Sequence, residues 1–113
     1  MPLITTQVST ALDNNLKEVL KKEFGQIITT IPGKTEKSLM ITFQDSMSIF
    51  LSGEEKNSAY LEVKLFGSAE RKYKEILIEK LSTCITTYCN IPTDHIYITI
   101  SELPEWGARG KLL

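Results

Sequence analysis

The sequence contains the same strand–helix–strand pattern twice, with the same spacing each time. Strand-like segments begin at Leu3 and Leu39, which are 36 residues apart, and at Ala59 and His95, which are also 36 residues apart. Between the two strands of each pair lies a segment with helical periodicity. Equal spacing indicates two copies of one β-α-β unit. In each unit the two strands are expected to be parallel and joined by a right-handed crossover.

Both helical segments are predicted from apolar residues that recur every three or four positions. The first spans residues 12–31 and stops at Pro32-Gly33, with Ser9 or Asp13 as its candidate N-cap. The second spans about 69–88, and we interpret its mixed-charge face as solvent-exposed. Strands are predicted at residues 3–8, 39–44, 47–51, 59–66 and 96–100, with a charged loop at 53–57.

Alternation along the strands separates two faces of one sheet. One face is apolar, and both helices are expected to cover it because burial stabilises most there. The other face is amphipathic and includes Met40, Tyr60 and Tyr97, which predicts that it meets copies of itself. We therefore predict one α+β domain over residues 1–113, in which a four-stranded mixed sheet carries two helices on one face and assembles into an oligomer.

Composition excludes several partner classes. Lysine and arginine number 13 against 14 acidic residues, and the net charge of -1 provides no field that attracts nucleic acid or an anionic membrane. No apolar run approaches the roughly 20 residues of a transmembrane helix, and the first residues lack the features of a secretory signal. Cys84 and Cys89 point to different sides of the second predicted helix, and we interpret them as reduced thiols. These features predict a cytoplasmic protein, with export without a signal left open.

The sequence also excludes several kinds of catalytic site. His95 is the only histidine, so a histidine-rich zinc site is excluded. There is no glycine-rich phosphate loop and no Gly-x-Ser-x-Gly motif. The sequence therefore predicts neither a metal site nor a phosphate-binding loop.

Pro2 is the first candidate for chemistry. Methionine aminopeptidase normally removes Met1 before so small a residue, which would leave a secondary amine at the amino terminus. In an apolar pocket the charged form of that amine loses hydration, and its pKa falls. A neutral amine can take a proton from a carbon next to a carbonyl and return it elsewhere. Taken alone, Pro2 more often just precedes a strand, so this interpretation depends on the rest of the chain.

Four segments occur in an informative order. They are Met1-Pro2-Leu3-Ile4, Ile31-Pro32-Gly33-Lys34, Ser52-Gly53-Glu54-Glu55 followed by the strand at 59–64, and Asp94-His95-Ile96-Tyr97-Ile98-Thr99. In this order, and within a duplicated β-α-β chain of this length, they resemble the macrophage migration inhibitory factor branch of the tautomerase superfamily. The similarity extends from Pro2 to about Trp106.

The resemblance implies a cofactor-independent homotrimer whose three sheets form a barrel, with active sites at the subunit interfaces. Pro2 would be the catalytic base in keto–enol tautomerisation of 2-oxo acids such as phenylpyruvate, and Lys34 would bind the substrate carboxylate. The backbone of Val63 would contact the substrate. Tyr97 would come from the neighbouring subunit, with Thr99 beside it.

The sequence also departs from the family pattern. Thr99 replaces an asparagine, and Lys56 and Ala59 stand where the family has two cysteines, so thiol–disulfide activity is not implied. The tail differs as well: Trp106 either forms a pocket wall or holds the tail in place, and two extra cations, Arg109 and Lys111, are either solvated or assist Lys34 with a doubly charged substrate. Two alternatives remain open. One is an interaction protein or cytokine with a vestigial pocket, and the other is a hydratase or dehalogenase of unsaturated acids.

Overall fold

The computed structural model describes residues 1–113 and contains two α-helices and eight β-strands. In chain order these are β1 (Pro2–Val8), α1 (Asn14–Ile27), β2 (Met40–Gln44), β3 (Phe50–Leu51), β4 (Glu54–Glu55), β5 (Ala59–Phe66), α2 (Arg71–Cys89), β6 (Ile96–Leu103), β7 (Gly107–Ala108) and β8 (Lys111–Leu112). Neither helix combines the length and the apolarity needed to cross a bilayer.

Four of these strands form one mixed sheet in the order β2-β1-β5-β6. β1 pairs in parallel with β2, and β5 pairs in parallel with β6, so both predicted β-α-β units are confirmed. The two units join through the antiparallel pair β1 and β5, in which Ile4 lies opposite Val63. This arrangement leaves one strand from each unit, β2 and β6, at the sheet edges.

The core lies between one face of this sheet and the two helices, as the alternation predicted. Its largest fully buried side chains come from both layers: Ile4, Leu61 and Leu65 from the sheet, Leu20 and Phe24 from α1, and Leu77, Leu81 and Ile85 from α2. The opposite face has no covering layer in the single chain, where Met40 and Tyr97 are each 64% exposed. The two faces therefore differ as the sequence predicted.

The first helix is shorter than predicted at both ends. The side chain of Asp13 accepts a hydrogen bond from the Leu16 N–H at 2.8 Å, so Asp13 rather than Ser9 is the N-cap. Leu12 lies outside the helix, and its N–H donates to Asp45 at 2.7 Å. At the other end, residues 28–30 form a turn of 3₁₀-helix. Helices commonly tighten in this way ahead of a proline.

Some predicted strand boundaries were wrong. Of residues 47–51 only Phe50–Leu51 is strand, and the predicted loop at 53–57 supplies its partner, Glu54–Glu55. Ser52 and Gly53 have φ angles of 56° and 80°, which makes them the two-residue turn of a hairpin. The last main strand continues three residues past the predicted end at Ile100, to Leu103.

Candidate functional site

The amino terminus lies at one end of the four-stranded sheet. Pro2 is opposite Leu65 in the antiparallel pair, and its side chain is buried on the face that the helices cover. One residue further out, the Phe66 N–H donates to the Met1 carbonyl at 3.0 Å. Met1 therefore extends the pairing between β1 and β5, and the nitrogen of Pro2 sits where the sheet ends.

Lys34 comes to the same place from the connection that follows the first helix. Gly33 has a φ of +81°, a conformation that favours glycine, and the Lys34 N–H donates to the Ile31 carbonyl at 3.1 Å. This tight turn directs a half-buried side chain whose Nζ donates to the Phe66 carbonyl at 2.9 Å. The structure thus brings Lys34 to the amino terminus.

The surroundings of the amino terminus favour a neutral amine. Burial lowers the pKa of the Met1 amino group, and the nearby positive charge of Lys34 lowers that pKa further. Both burial and a like charge disfavour the protonated form of an amine. Such a site favours the free base that general base catalysis requires.

Phe66 is the residue that joins the parts of this site, and the sequence did not single it out. Its backbone holds Met1 and Lys34, and its ring packs against Trp106 with ring centroids 6.4 Å apart. Trp106 is half-buried, and its carbonyl accepts a hydrogen bond from the Leu113 N–H at 2.8 Å. The available signal was an aromatic residue at the end of a strand, directly before Gly67.

Val63 lies close to this end but faces inward. Its side chain is fully buried, and β5 runs between β1 and β6, so the backbone of Val63 faces two neighbouring strands. The nearest backbone groups on β5 that bond to residues outside the strands are those of Phe66, whose partners are Met1 and Lys34. A substrate contact at Val63 stays a prediction.

Tyr97 and Thr99 lie far from the amino terminus within one chain. Tyr97 pairs with Tyr60, five positions along β5 from the Leu65 that pairs with Pro2, which corresponds to roughly 17 Å. Both side chains are exposed on the uncovered face, where Tyr60 Oη and Thr99 Oγ1 are 2.8 Å apart. A single chain therefore brings Lys34 and, through Phe66, Trp106 to the end of the sheet where Pro2 lies, but leaves Tyr97 and Thr99 far from it.

A cavity of about 540 Å³ lies elsewhere. It lies in the groove between the two helices, and none of the predicted site residues lines it. Cys84 lines this groove, and both Cys84 and Cys89 are free and buried. Burial, with smaller contributions from Glu23 and Cys89, raises the pKa of Cys84 to about 12. A thiol with so high a pKa is unreactive at neutral pH.

Comparisons with known proteins agree with this fold. The sequence model of the family described as macrophage migration inhibitory factor matches residues 1–111. The structure of MIF2 from Leishmania major is 27% identical, with a TM-score of 0.93 over 100% of this chain and 97% of that one. The homologue from Prochlorococcus marinus is 28% identical, with a TM-score of 0.82 over 97% of each chain.

A more distant structure shares the fold alone. It is N1, a member of the cis-3-chloroacrylic acid dehalogenase family, which is 18% identical with a TM-score of 0.84 over 98% of this chain and 82% of that one. No curated protein sequence matches the chain. The family match covers nearly the whole sequence, as the resemblance of its motifs predicted. This chain belongs to the macrophage migration inhibitory factor family.

Proposed function

We propose that this chain is a keto–enol tautomerase of phenylpyruvate-type 2-oxo acids that uses the amine of Pro2 as its base once Met1 is removed. The observation that carries the proposal is the meeting of the amino terminus, Lys34 and Phe66 at one end of the sheet. Burial lowers the pKa of the Met1 amine at this place, and burial would act in the same direction on an amine at Pro2. These groups supply a base, a cation and a backbone donor within one small site.

Removal of Met1 changes two groups at once. It converts the Pro2 nitrogen from an amide into a secondary amine, and it frees the Phe66 N–H, which otherwise donates to the Met1 carbonyl. Lys34 keeps two of its three N–H donors available, because the structure shows one hydrogen bond from its Nζ, to Phe66. The carboxylate of a 2-oxo acid would bind Lys34, and the freed N–H would donate to a substrate oxygen.

The reaction then moves only protons. The neutral Pro2 nitrogen takes a proton from carbon 3 of the 2-oxo acid, and the electron pair of that C–H bond forms the double bond between carbons 2 and 3. Negative charge collects on the oxygen at carbon 2, where hydrogen-bond donors stabilise it. Protonation of that oxygen gives the enol, and the reverse steps return the proton from Pro2 to carbon 3.

The complete site requires a second copy of the chain. We expect a homotrimer in which the uncovered faces of three sheets form a barrel and each chain lends Tyr97 and Thr99 to the Pro2 site of a neighbour. The exposure of Tyr97 and Met40 on that face supports this arrangement. Tyr97 would then donate to the developing enolate oxygen, Trp106 would form a wall of the pocket, and the backbone of Val63 would contact the substrate.

The test is the ketonisation of phenylpyruvate, followed by ultraviolet absorbance, on protein whose mass shows that Met1 is absent. Pro2→Gly replaces the rigid secondary amine with a mobile primary amine, so it should lose most of the turnover while its circular dichroism stays native. Protein that retains Met1 has an amide in place of the Pro2 amine and should lose the roughly 10²- to 10⁴-fold in rate that a general base typically contributes. Pro92→Gly, an exposed proline at the start of the turn before β6, is the matched control and should keep its activity. Full activity in Pro2→Gly would refute the mechanism.

The same protein separates the two alternatives. Inactivity of a correctly processed homotrimer toward phenylpyruvate, combined with release of chloride from 3-chloroacrylate, would move the assignment to the dehalogenase chemistry named for the structural neighbour N1. Inactivity toward both acids would favour an interaction protein with a vestigial pocket.

A further inference from the structure

The carboxyl-terminal tail returns to the amino-terminal end of the sheet as a short hairpin. β7 and β8 pair with Ala108 opposite Lys111, and the Leu113 N–H bond to the Trp106 carbonyl closes the base of the hairpin. That base rests on Phe66 through the contact between the Phe66 and Trp106 rings. The hairpin is therefore attached to the residue whose carbonyl holds Lys34.

The turn of this hairpin consists of Arg109 and Gly110, with φ angles of 55° and 75°. Positive φ is unfavourable for a residue with a Cβ, and hairpin turns of this kind are usually built from asparagine and glycine. Arg109, with its long cationic side chain, thus occupies a turn position that asparagine or glycine would occupy more favourably. Arg109 lies three residues from Trp106, so their Cα atoms are at most about 10 Å apart.

The cations at this end have no internal counter-ions. None of the four ion pairs in the chain includes Lys34, Arg109 or Lys111. Glu102, the carboxylate that closes the same end of β6, is already held by Lys74 at 2.8 Å and by the Ala69 N–H at 2.7 Å. The chain as a whole has a net charge of -1. At the amino-terminal end of its sheet, however, Lys34, Arg109 and Lys111 add three unpaired positive charges to the terminal amine.

We propose that the substrate carries a second acidic group, which Arg109 binds with the support of Lys111, so that the substrate class is the 2-oxo dicarboxylic acids. This inference rests on the proposed function, because Lys34 and Pro2 hold the 2-oxo acid end of the same molecule. Guanidinium groups bind carboxylates through two parallel hydrogen bonds. Lys111 adds positive charge on the strand that leaves the turn.

The experiment measures binding rather than turnover. Trp106 is the only tryptophan, so its fluorescence reports on the base of the hairpin. Processed protein is titrated with 2-oxoglutarate and with 2-oxopentanoate, which have the same five-carbon chain but differ in the second carboxylate. Wild type should bind the dianion about tenfold or more tightly, as expected for charged hydrogen bonds. High salt should reduce this preference.

The variant that tests the assignment is Arg109→Asn combined with Lys111→Gln, because asparagine tolerates the positive φ of the turn. In this variant the ratio of the two Kd values should fall to about one. General damage to the hairpin would instead weaken the binding of both acids equally and preserve the ratio. Lys17→Gln combined with Lys56→Gln removes the same charge near the opposite end of the sheet, and this control should keep the wild-type ratio.

The outcomes keep this inference separate from the proposed function. Equal binding of the two acids by wild type, an unchanged ratio in the Arg109 and Lys111 variant, or no response of Trp106 to either acid would overturn the second acidic subsite. Ketonisation of phenylpyruvate by the same wild-type sample reports independently on the tautomerase. A sample that ketonises phenylpyruvate without preferring the dianion would refute only the inference about the second acid.

Discussion

Asn57 and Lys34 lie at opposite ends of the central sheet and use their polar groups in opposite ways. At the end away from the amino terminus, the Asn57 side chain accepts from Ser9 Oγ at 2.8 Å and donates to the Asn90 carbonyl at 3.0 Å, while the Asn57 carbonyl lies 2.9 Å from His95 Nδ1. These bonds tie together β1, β5, the end of α2 and the start of β6. At the amino-terminal end, Lys34 makes one hydrogen bond and no ion pair.

The Asn57 end stabilises the fold, whereas Lys34 has donors available for a ligand. Donors and acceptors that satisfy one another stabilise the chain but offer little to another molecule. Cations without partners do the reverse, because they contribute little to stability yet can bind an anion strongly. Substitutions at each end test this division.

Asn57→Ala should have the largest effect on stability. The substitution removes hydrogen bonds to Ser9, Thr10 and the Asn90 carbonyl, which together should lower the free energy of unfolding by about 2 kcal/mol. Urea denaturation measures this loss. Asn15→Ala, an exposed position early in α1, is the matched control and should be neutral or slightly stabilising. Loss of tautomerase activity in a folded Asn57→Ala protein would contradict the division between the ends.

Lys34→Gln should show the reverse pattern. The variant should bind phenylpyruvate about tenfold more weakly, seen as a higher KM, because a charged hydrogen bond to the carboxylate is lost. Its midpoint in urea should change little. Lys37→Gln removes the same charge from an exposed position three residues later and should leave KM unchanged. A large loss of stability in Lys34→Gln would show that this lysine serves mainly as a structural brace for Phe66.

Thr6→Val probes the strand that connects the two ends. The Thr6 side chain is fully buried against the helices, and its hydroxyl has no hydrogen-bond partner. Replacing an unpartnered buried hydroxyl with a methyl group of similar shape should raise the free energy of unfolding by about 1 kcal/mol. Thr5→Val, on the uncovered face of the same strand, is the control. A loss of stability in Thr6→Val would indicate that the hydroxyl has a partner, such as a buried water.

The sequence predicted the parts of the molecule that depend on local pattern. Apolar periodicity and the repeated 36-residue spacing were sufficient for the two β-α-β units and for the face that the helices cover. Exact ends were less predictable, because Asp13 and Ser9 are equally good caps as residue types, and only the path of the chain decides between them. The β3–β4 hairpin was missed because a Ser-Gly turn and two-residue strands give little periodic signal.

The site was predictable in part for a related reason. Pro2 and Lys34 were identified as side chains in matching motifs, and the structure brings them together. Phe66 acts through its backbone N–H and carbonyl, which every residue except proline carries, so no residue type could reveal it. The placement of Tyr97 and Thr99 relative to Pro2 depends on a second copy of the chain, which a pattern within one chain does not define.

Acid should weaken both ends, but by different interactions. Hydrogen bonding to Lys74, and then to the Ala69 N–H, lowers the pKa of Glu102 below its ordinary 4.5, while the Leu12 N–H lowers the pKa of Asp45 at the other end. A carboxyl group with a lowered pKa in the folded state stabilises the fold above its unfolded pKa, and this stabilisation is lost as the pH falls through the folded value.

Glu102→Gln and Asp45→Asn should therefore each lower stability at pH 7 by a small amount and flatten the loss of stability below about pH 4.5. Thermal unfolding between pH 7 and pH 3 measures both slopes. Added salt should reduce the effect of Glu102→Gln, because it screens the ion pair with Lys74, and should change that of Asp45→Asn less, because the partner of Asp45 is a backbone N–H. An equal salt response would mean that the same kind of interaction holds both carboxylates. That result would contradict the difference between an ion pair at Glu102 and a backbone hydrogen bond at Asp45.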